Sequence, residues 1–394
     1  MRIIHVCLSG LYMSGWGYQD NLIVKYQLRD GHEVGVIANK YVYDSEGSYL
    51  GVTESRETDE NGALIFRLDQ KGNKKLKGPA ERVHYKGLYK CLEEFNPDII
   101  FLHNPQILDT GDIAAYIRDR RKASGKVRLY VDSHSDYSNS GRNALSKYIL
   151  HGMLWRSRVK KLIPYTEKFY GVLPARVDFL LDRYKTPKDR TTLLLMGMDD
   201  ERALEAEKKK SLIREKYGIT EEDFLIVTGG KIDHAKRQTL LLIEAVKRLN
   251  NPSVKLLVFG SVVNDMREEF DKACSGSKEI IYTGWIKEEE SYAFFAAADF
   301  VIFPGRHSVM WEQVAGQGKP MAVKYWEGTT HIDMGGNCVF LKEDSIDEIK
   351  ELIESVCDRG DKYKEMLNRA LSDERFKFSY RTIARKCIEE KAEQ

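Results

Sequence analysis

Short apolar runs alternate along the chain with longer stretches whose apolar positions recur every three or four residues. The short runs predict strands over residues 3–8, 33–38, 99–103, 128–132, 162–165 and 192–196. In the second half they predict strands over 224–228, 254–259, 280–283, 300–303, 321–324 and 338–341. The helical period covers 20–29, closed by Gly31, and later 238–249, 265–273, 288–297 and 309–318. Residues 64–68 read as an added strand after the polar, turn-rich 44–61 stretch. A last helix, 380–392, follows the aromatic FKFSY segment. Strands separated by helices signal βαβ units and parallel sheets.

A chain of 394 residues is too long for one ordinary core. The doubled alternation therefore predicts an α/β protein of two Rossmann-like domains joined within 186–200. The first spans 1–190 and the second 191–375, with a C-terminal helix over 376–394 able to return to the first domain. Neither a low-complexity tract nor a short-period repeat appears. The 62 basic and 60 acidic residues nearly cancel, so no global nucleic-acid footprint exists. No run is long enough to cross a bilayer, and the N-terminus MRIIHVCLSG lacks the form of a signal peptide. Six scattered cysteines without a CxxC pair suit reduced thiols in a cytoplasmic protein.

Two loops carry candidate chemistry. Residues 8–18, LSGLYMSGWGY, join the first strand to its helix. Their glycines would let backbone approach a ligand, and the helix start offers N–H groups to an anion. The spacing is not GxGxxG, and no acidic residue follows at a second strand end, which argues against NAD. A plain tight turn accounts for Gly10, Gly15 and Gly17 equally well. The second loop, Gly229-Gly230-Lys231-Ile-Asp-His-Ala-Lys236-Arg237, sets two lysines five apart before a helix. Two ammonium groups there can surround a diphosphate, or they can be a solvated pair.

Gly230-Lys231…Lys236…Leu242-Ile243-Glu244-Ala245 resembles the GR…K…LIEA signature of the family 4 glycosyltransferases, which have the GT-B fold. Other segments follow in the same order. Gly31-His-Glu-Val34 resembles "GHEV", Asp98–His103 the apolar strand ending in His, and Val131–His134 its successor. Met196-Gly-Met-Asp199 resembles the "NGVD" crossover turn, and Ile281-Tyr-Thr-Gly284-Trp285 the "V-x-F-x-G" strand end. Ala297–Pro304 resembles "Y-x-x-A-D-x-x-V-x-P", and Glu312–Pro320 resembles "EAMAxGxP". The likeness runs from about residue 1 to the final helix.

The resemblance implies two domains facing across a cleft, and transfer of a sugar with retention from a UDP- or GDP-linked donor to an acceptor hydroxyl. It implies that Lys231 and Lys236 grip the diphosphate, with Lys231 where the family usually has Arg. Glu312 would accept from ribose hydroxyls, and Gly284, Trp285 and Ile286 would border the base. His134 would face the transferred sugar, with Lys236 the other catalytic candidate. Gly15 and Gly17 would approach the phosphate and sugar. His134 as a strand-end residue and Glu312 as a helix-turn carboxylate remain open alternatives. His103-Asn104 would either line the cleft or end a strand.

The family usually has another Glu eight residues before the position of Glu312, contacting the donor sugar. Here Arg306, His307 and Ser308 occupy that loop, and His307 and Ser308 join the donor candidates. Asp199-Asp200 lacks Asp-x-Asp spacing, no metal cluster is evident, and no metal or other cofactor is required. Residues 147–163, KYILHGMLWRSRVKKLI, could lie on an anionic membrane or form a core helix with a solvated basic face. The partners expected are a nucleotide-sugar, an acceptor glycan or glycolipid, no nucleic acid, and peripheral contact at the inner face of a membrane. A nucleotide-sugar epimerase of the same fold and an inactive binding scaffold are the alternatives.

Overall fold

The computed structural model describes residues 1–43, 49–52, 54–72 and 80–389. The chain divides into two compact units, one of residues 1–195 with 381–394 and the other of residues 196–380. The segment that leaves the second unit thus ends its course within the first.

The first unit holds β1 (Arg2–Cys7), β2 (Glu33–Asn39), β3 (Tyr41–Tyr43), β4 (Tyr49–Gly51), β5 (Arg56–Thr58), β6 (Leu64–Leu68), β7 (Ile99–His103), β8 (Arg128–Ser133), β9 (Thr166–Gly171) and β10 (Thr191–Leu193). Its main sheet runs β10-β9-β8-β7-β1-β2-β6-β5, parallel except for the edge strand β5. β3 and β4 form a separate antiparallel pair. The strands are nearly continuous apolar runs because both faces are covered: Ile3, Ile4 and Val6 on β1 and Ile99–Leu102 on β7 are wholly buried. The strand order reverses between β1 and β7, the place where open α/β sheets bind ligands at strand carboxyl ends.

The second unit repeats the plan with β11 (Phe224–Gly229), β12 (Val254–Phe259), β13 (Ile280–Tyr282), β14 (Phe300–Phe303), β15 (Met321–Lys324) and β16 (Cys338–Leu341). Their order, β13-β12-β11-β14-β15-β16, is all parallel and reverses between β11 and β14.

Three sequence expectations are corrected. No strand forms over 162–165; Trp155, Val159 and Leu162 are the buried stripe of a helix, Arg156–Leu162 and the turn before it, and the strand starts at Thr166 after Pro164. The strand expected over 192–196 is only Thr191–Leu193. The last helix ends earlier, at Tyr380–Lys386, and residues 390–392 of the expected span lie outside the described residues. That helix is anchored within the first unit: Arg385 pairs with Asp30 at 2.6 Å, and the Tyr130 hydroxyl donates to the Ile388 carbonyl at 3.2 Å.

Candidate functional site

In the second unit, three adjacent strand ends are stitched by left-handed glycines. Gly230, Gly260 and Gly284 have φ of +110°, +120° and +75°. The Gly230 N–H donates to the Phe259 carbonyl at 3.1 Å, and the Gly260 N–H to the Gly284 carbonyl at 2.7 Å. A Cβ on Gly260 would collide with the Gly230 carbonyl, so the requirement there is both dihedral and steric.

Beyond Gly230 the chain passes Lys231, which is exposed, and closes a short turn, His234–Lys236, capped by the Asp233 carboxylate on the Ala235 N–H at 3.0 Å. The turn brings Lys236 back over the strand end, where its Nζ lies 3.1 Å from the place a Gly230 Cβ would take. The loop after β14 covers it, since a Cβ on Gly305 would fall 3.0 Å from Lys236 Cα. Among the described residues Lys236 makes no ion pair. Burial pushes its pKa below the ordinary lysine value, helped by nearby Arg306 and opposed by Asp233. An ammonium in this state gains by meeting an anion.

The same loop delivers His307 and Ser308. Ser308 starts the helix Met310–Gly316, its carbonyl accepting the Trp311 N–H at 2.9 Å. Glu312, on that helix, is fully buried. Its Oε1 accepts from His307 Nε2 at 2.9 Å and from His331 Nε2 at 2.8 Å. Burial alone would raise its pKa, but the two imidazoles win and hold it at about 2. Trp285 projects from the β13 strand end, 71% exposed, with Ile286 half-buried beside it. Lys231, Lys236, Gly284, Trp285, Ile286, His307 and Ser308 therefore all belong to loops at the carboxyl edge of one sheet, and Glu312 to the helix that follows one of them. Asp199 and Asp200 have structural duties. Asp199 caps the helix Asp200–Lys208, and Asp200 accepts from the Ser379 hydroxyl at 2.6 Å.

Gly15, Gly17 and His134 lie in the first unit, on the loops that follow β1 and β8. Gly15 adopts φ +79° in a loop tied down by Asn39 on the Gly10 carbonyl, Asn21 on Met13 and Arg67 on Tyr12. The His134 N–H donates to Asn104 Oδ1 at 3.0 Å, and its Nε2 lies 3.7 Å from Asp132 Oδ2. Asp132, wholly buried, accepts from His103 Nδ1 at 2.9 Å and from the Asn104 N–H at 2.9 Å. His103 Nε2 meets His5 Nδ1 at 2.9 Å, and His5 Nε2 meets Gln27 Oε1 at 2.8 Å.

Proton positions along this row follow from its far end. The Gln27 amide nitrogen faces the Ala384 carbonyl at 3.4 Å, so its Oε1 faces His5 and requires Nε2–H there. Burial pushes the His5 pKa down to about 3, so His5 is neutral and its Nδ1 can only accept. His103 must then donate from both nitrogens and is an imidazolium. Burial opposes that charge, and Asp132 overcomes it and raises the pKa. Sequence reasoning named His103 and His134 but missed His5, Asp132 and His331. A histidine inside the apolar run IIHVC is the signal that could have found His5; His331, in a Gly-rich turn, carries none.

Residues 209–373 match the family model described as glycosyl transferases group 1. Over this segment the chain is similar to the group 1 glycosyl transferases. The segment contains Lys231, Lys236, Glu312 and both of the histidines on Glu312. No curated protein matches the sequence significantly. Among solved structures, a glycosyltransferase from Rickettsia africae is similar at 16% identity and TM-score 0.65, over 98% of this chain and 96% of that one. HepE of Anabaena, solved with UDP-glucose, is similar at 15% identity and TM-score 0.63, over 98% of both chains. WaaG, a glycosyltransferase of lipopolysaccharide biosynthesis, matches at 13% identity and TM-score 0.62, over 95% of this chain and 96% of that one. The fold is GT-B, with two Rossmann-like units.

Proposed function

We propose that the protein transfers a sugar from a UDP- or GDP-sugar to a hydroxyl of an acceptor glycan or glycolipid, with retention at the anomeric carbon. The observation that carries this reading is Lys236, a half-buried ammonium without an ion-pair partner among the described residues, folded over Gly230 at the reversal point of the second sheet. Such a group fits a diphosphate, and Lys231 on the same loop adds a second positive charge. Glu312 would take the ribose and Trp285 the base. In the step itself the anomeric C–O bond to the β-phosphate breaks and the acceptor oxygen bonds to that carbon on the same face. The hydroxyl proton leaves with the diphosphate, whose growing charge Lys236 neutralises. His134 would contact the transferred sugar. No metal enters this scheme.

The acceptor side has its own support. Residues 138–166 contain six basic side chains and no acidic one. Within them a wide, π-type helix, Leu145–Trp155, buries His151 and Trp155 and exposes Leu145, Tyr148, Ile149 and Met153. Apolar side chains among cations suit an anionic membrane surface, where a lipid-linked acceptor would lie. Six unpaired cysteines suit a cytoplasmic, reducing setting. Release of free nucleotide from a panel of nucleotide-sugars, with and without lipid acceptors, tests the reading. An epimerase would return an altered nucleotide-sugar, and an inactive scaffold would release nothing.

A further inference from the structure

The Glu312 carboxylate uses its two oxygens unequally. Oε1 accepts two imidazole N–H groups, whereas Oε2 is buried without a hydrogen-bond partner among the described residues. The donors reach it from separate elements: His307 from the loop after β14 and His331 from the turn Thr330–Ile332. The His307 ring is held edge-on against Trp311, with centroids 4.9 Å apart. Two donors on one oxygen fix the rotation of a carboxylate and decide which oxygen stays available.

We propose that His307 and His331 are positioning residues that clamp Glu312 by Oε1 and reserve Oε2 for the ribose hydroxyls of the donor nucleotide. This rests on the donor reading above and adds two residues to it. The three groups also have the composition of a divalent-cation site, since their ligand atoms lie within 4.8 Å of one another. The chemistry favours the clamp. A metal-bound imidazole keeps its proton on the other nitrogen, which then needs an acceptor, and His331 Nδ1 is buried without one among the described residues. The 2.8 and 2.9 Å separations are those of N–H donors on a carboxylate.

Calorimetry on the full chain, with UDP, GDP and ADP as parallel probes, tests this on Glu312→Ala, His331→Ala, His331→Gln and the Glu312→Ala/His331→Ala double variant. Glutamine keeps an N–H near the position of Nε2. Glu312→Ala and His331→Ala should each weaken the bound nucleotide about tenfold, as loss of a hydrogen bond to a charged group does. His331→Gln should stay within about threefold of wild type, and His331→Ala should add nothing once Glu312 is gone. The same comparison at His307 reads the other side of the clamp if His331→Ala does not fold. Wild-type affinity in both His→Ala variants, or an equal loss with Glu312 already removed, overturns the clamp. Unchanged affinity in Glu312→Ala, or binding of none of the three probes by wild type, overturns the donor reading itself. One equivalent of zinc bound by wild type and lost in His331→Ala assigns the cluster to a cation instead and overturns the clamp.

Discussion

His103 donates from Nδ1 to Asp132 Oδ2 at 2.9 Å, at a place where both side chains are almost fully withdrawn from solvent. With His5 neutral on its other side, His103 is required to be a buried imidazolium. Nitrogen-15 spectra of the histidines at pH 6 should show both ring nitrogens of His103 protonated and His5 protonated only at Nε2. A neutral His103 at that pH would contradict the assignment.

The same row sets a dependence on pH. The folded pKa of His5 is about 3, below its unfolded value of 6.5, so its contribution to stability is present above pH 6.5 and is lost as pH falls toward 3. His103 has the opposite sign. Its raised pKa contributes stability that is full below 6.5 and fades as pH rises through the folded value. Asp132 and Asp20 face the pair and are the other titrating groups there. Urea unfolding of wild type should weaken between pH 6.5 and 5, and His5→Gln should lose less over that interval. Equal losses in the two proteins would contradict it.

Gly260→Ala is expected to destabilise the second unit by about 2 kcal/mol or more, since it combines a left-handed φ with a backbone collision. Gly276→Ala, left-handed in open space, should cost less. Thermal unfolding of the two variants gives the comparison directly.

The alternation of apolar runs and helices made both sheets legible, because strands covered on both faces need continuous apolar residues. Stretch 162–165 failed for the same reason: Leu162 and Ile163 are apolar whether they end a helix or start a strand, and only Pro164 marks the break. The lysine loop was legible from glycine spacing. The row from Gln27 to Asp132 was not, because strand pairing brings together residues nearly a hundred positions apart. His331 reaches Glu312 through a turn that has no periodicity to read.

His134 and Glu312 are expected to separate chemistry from binding. Glu312→Ala should weaken free nucleotide and nucleotide-sugar alike, because both carry the ribose. His134→Ala should leave the affinity for free nucleotide near wild type while kcat falls. Equal loss of nucleotide affinity in both variants, or an unaltered kcat in His134→Ala, would contradict the assignment.

Ile149→Glu combined with Met153→Glu replaces two exposed apolar side chains in the acid-free stretch. Sedimentation with phosphatidylglycerol vesicles should show wild-type protein bound and the variant released, with nucleotide affinity unchanged. Equal sedimentation of the two would remove the membrane from the account.

The proposed function stands on the second unit holding a nucleotide diphosphate through Lys236. Calorimetric titration of wild type and Lys236→Ala with UDP, GDP and ADP tests it most directly. One of these should bind wild type, and Lys236→Ala should lose about 1.5–3 kcal/mol of that binding, the range for a hydrogen bond to a charged group. Unchanged affinity in Lys236→Ala, and in Lys231→Ala beside it, would place the phosphate site elsewhere.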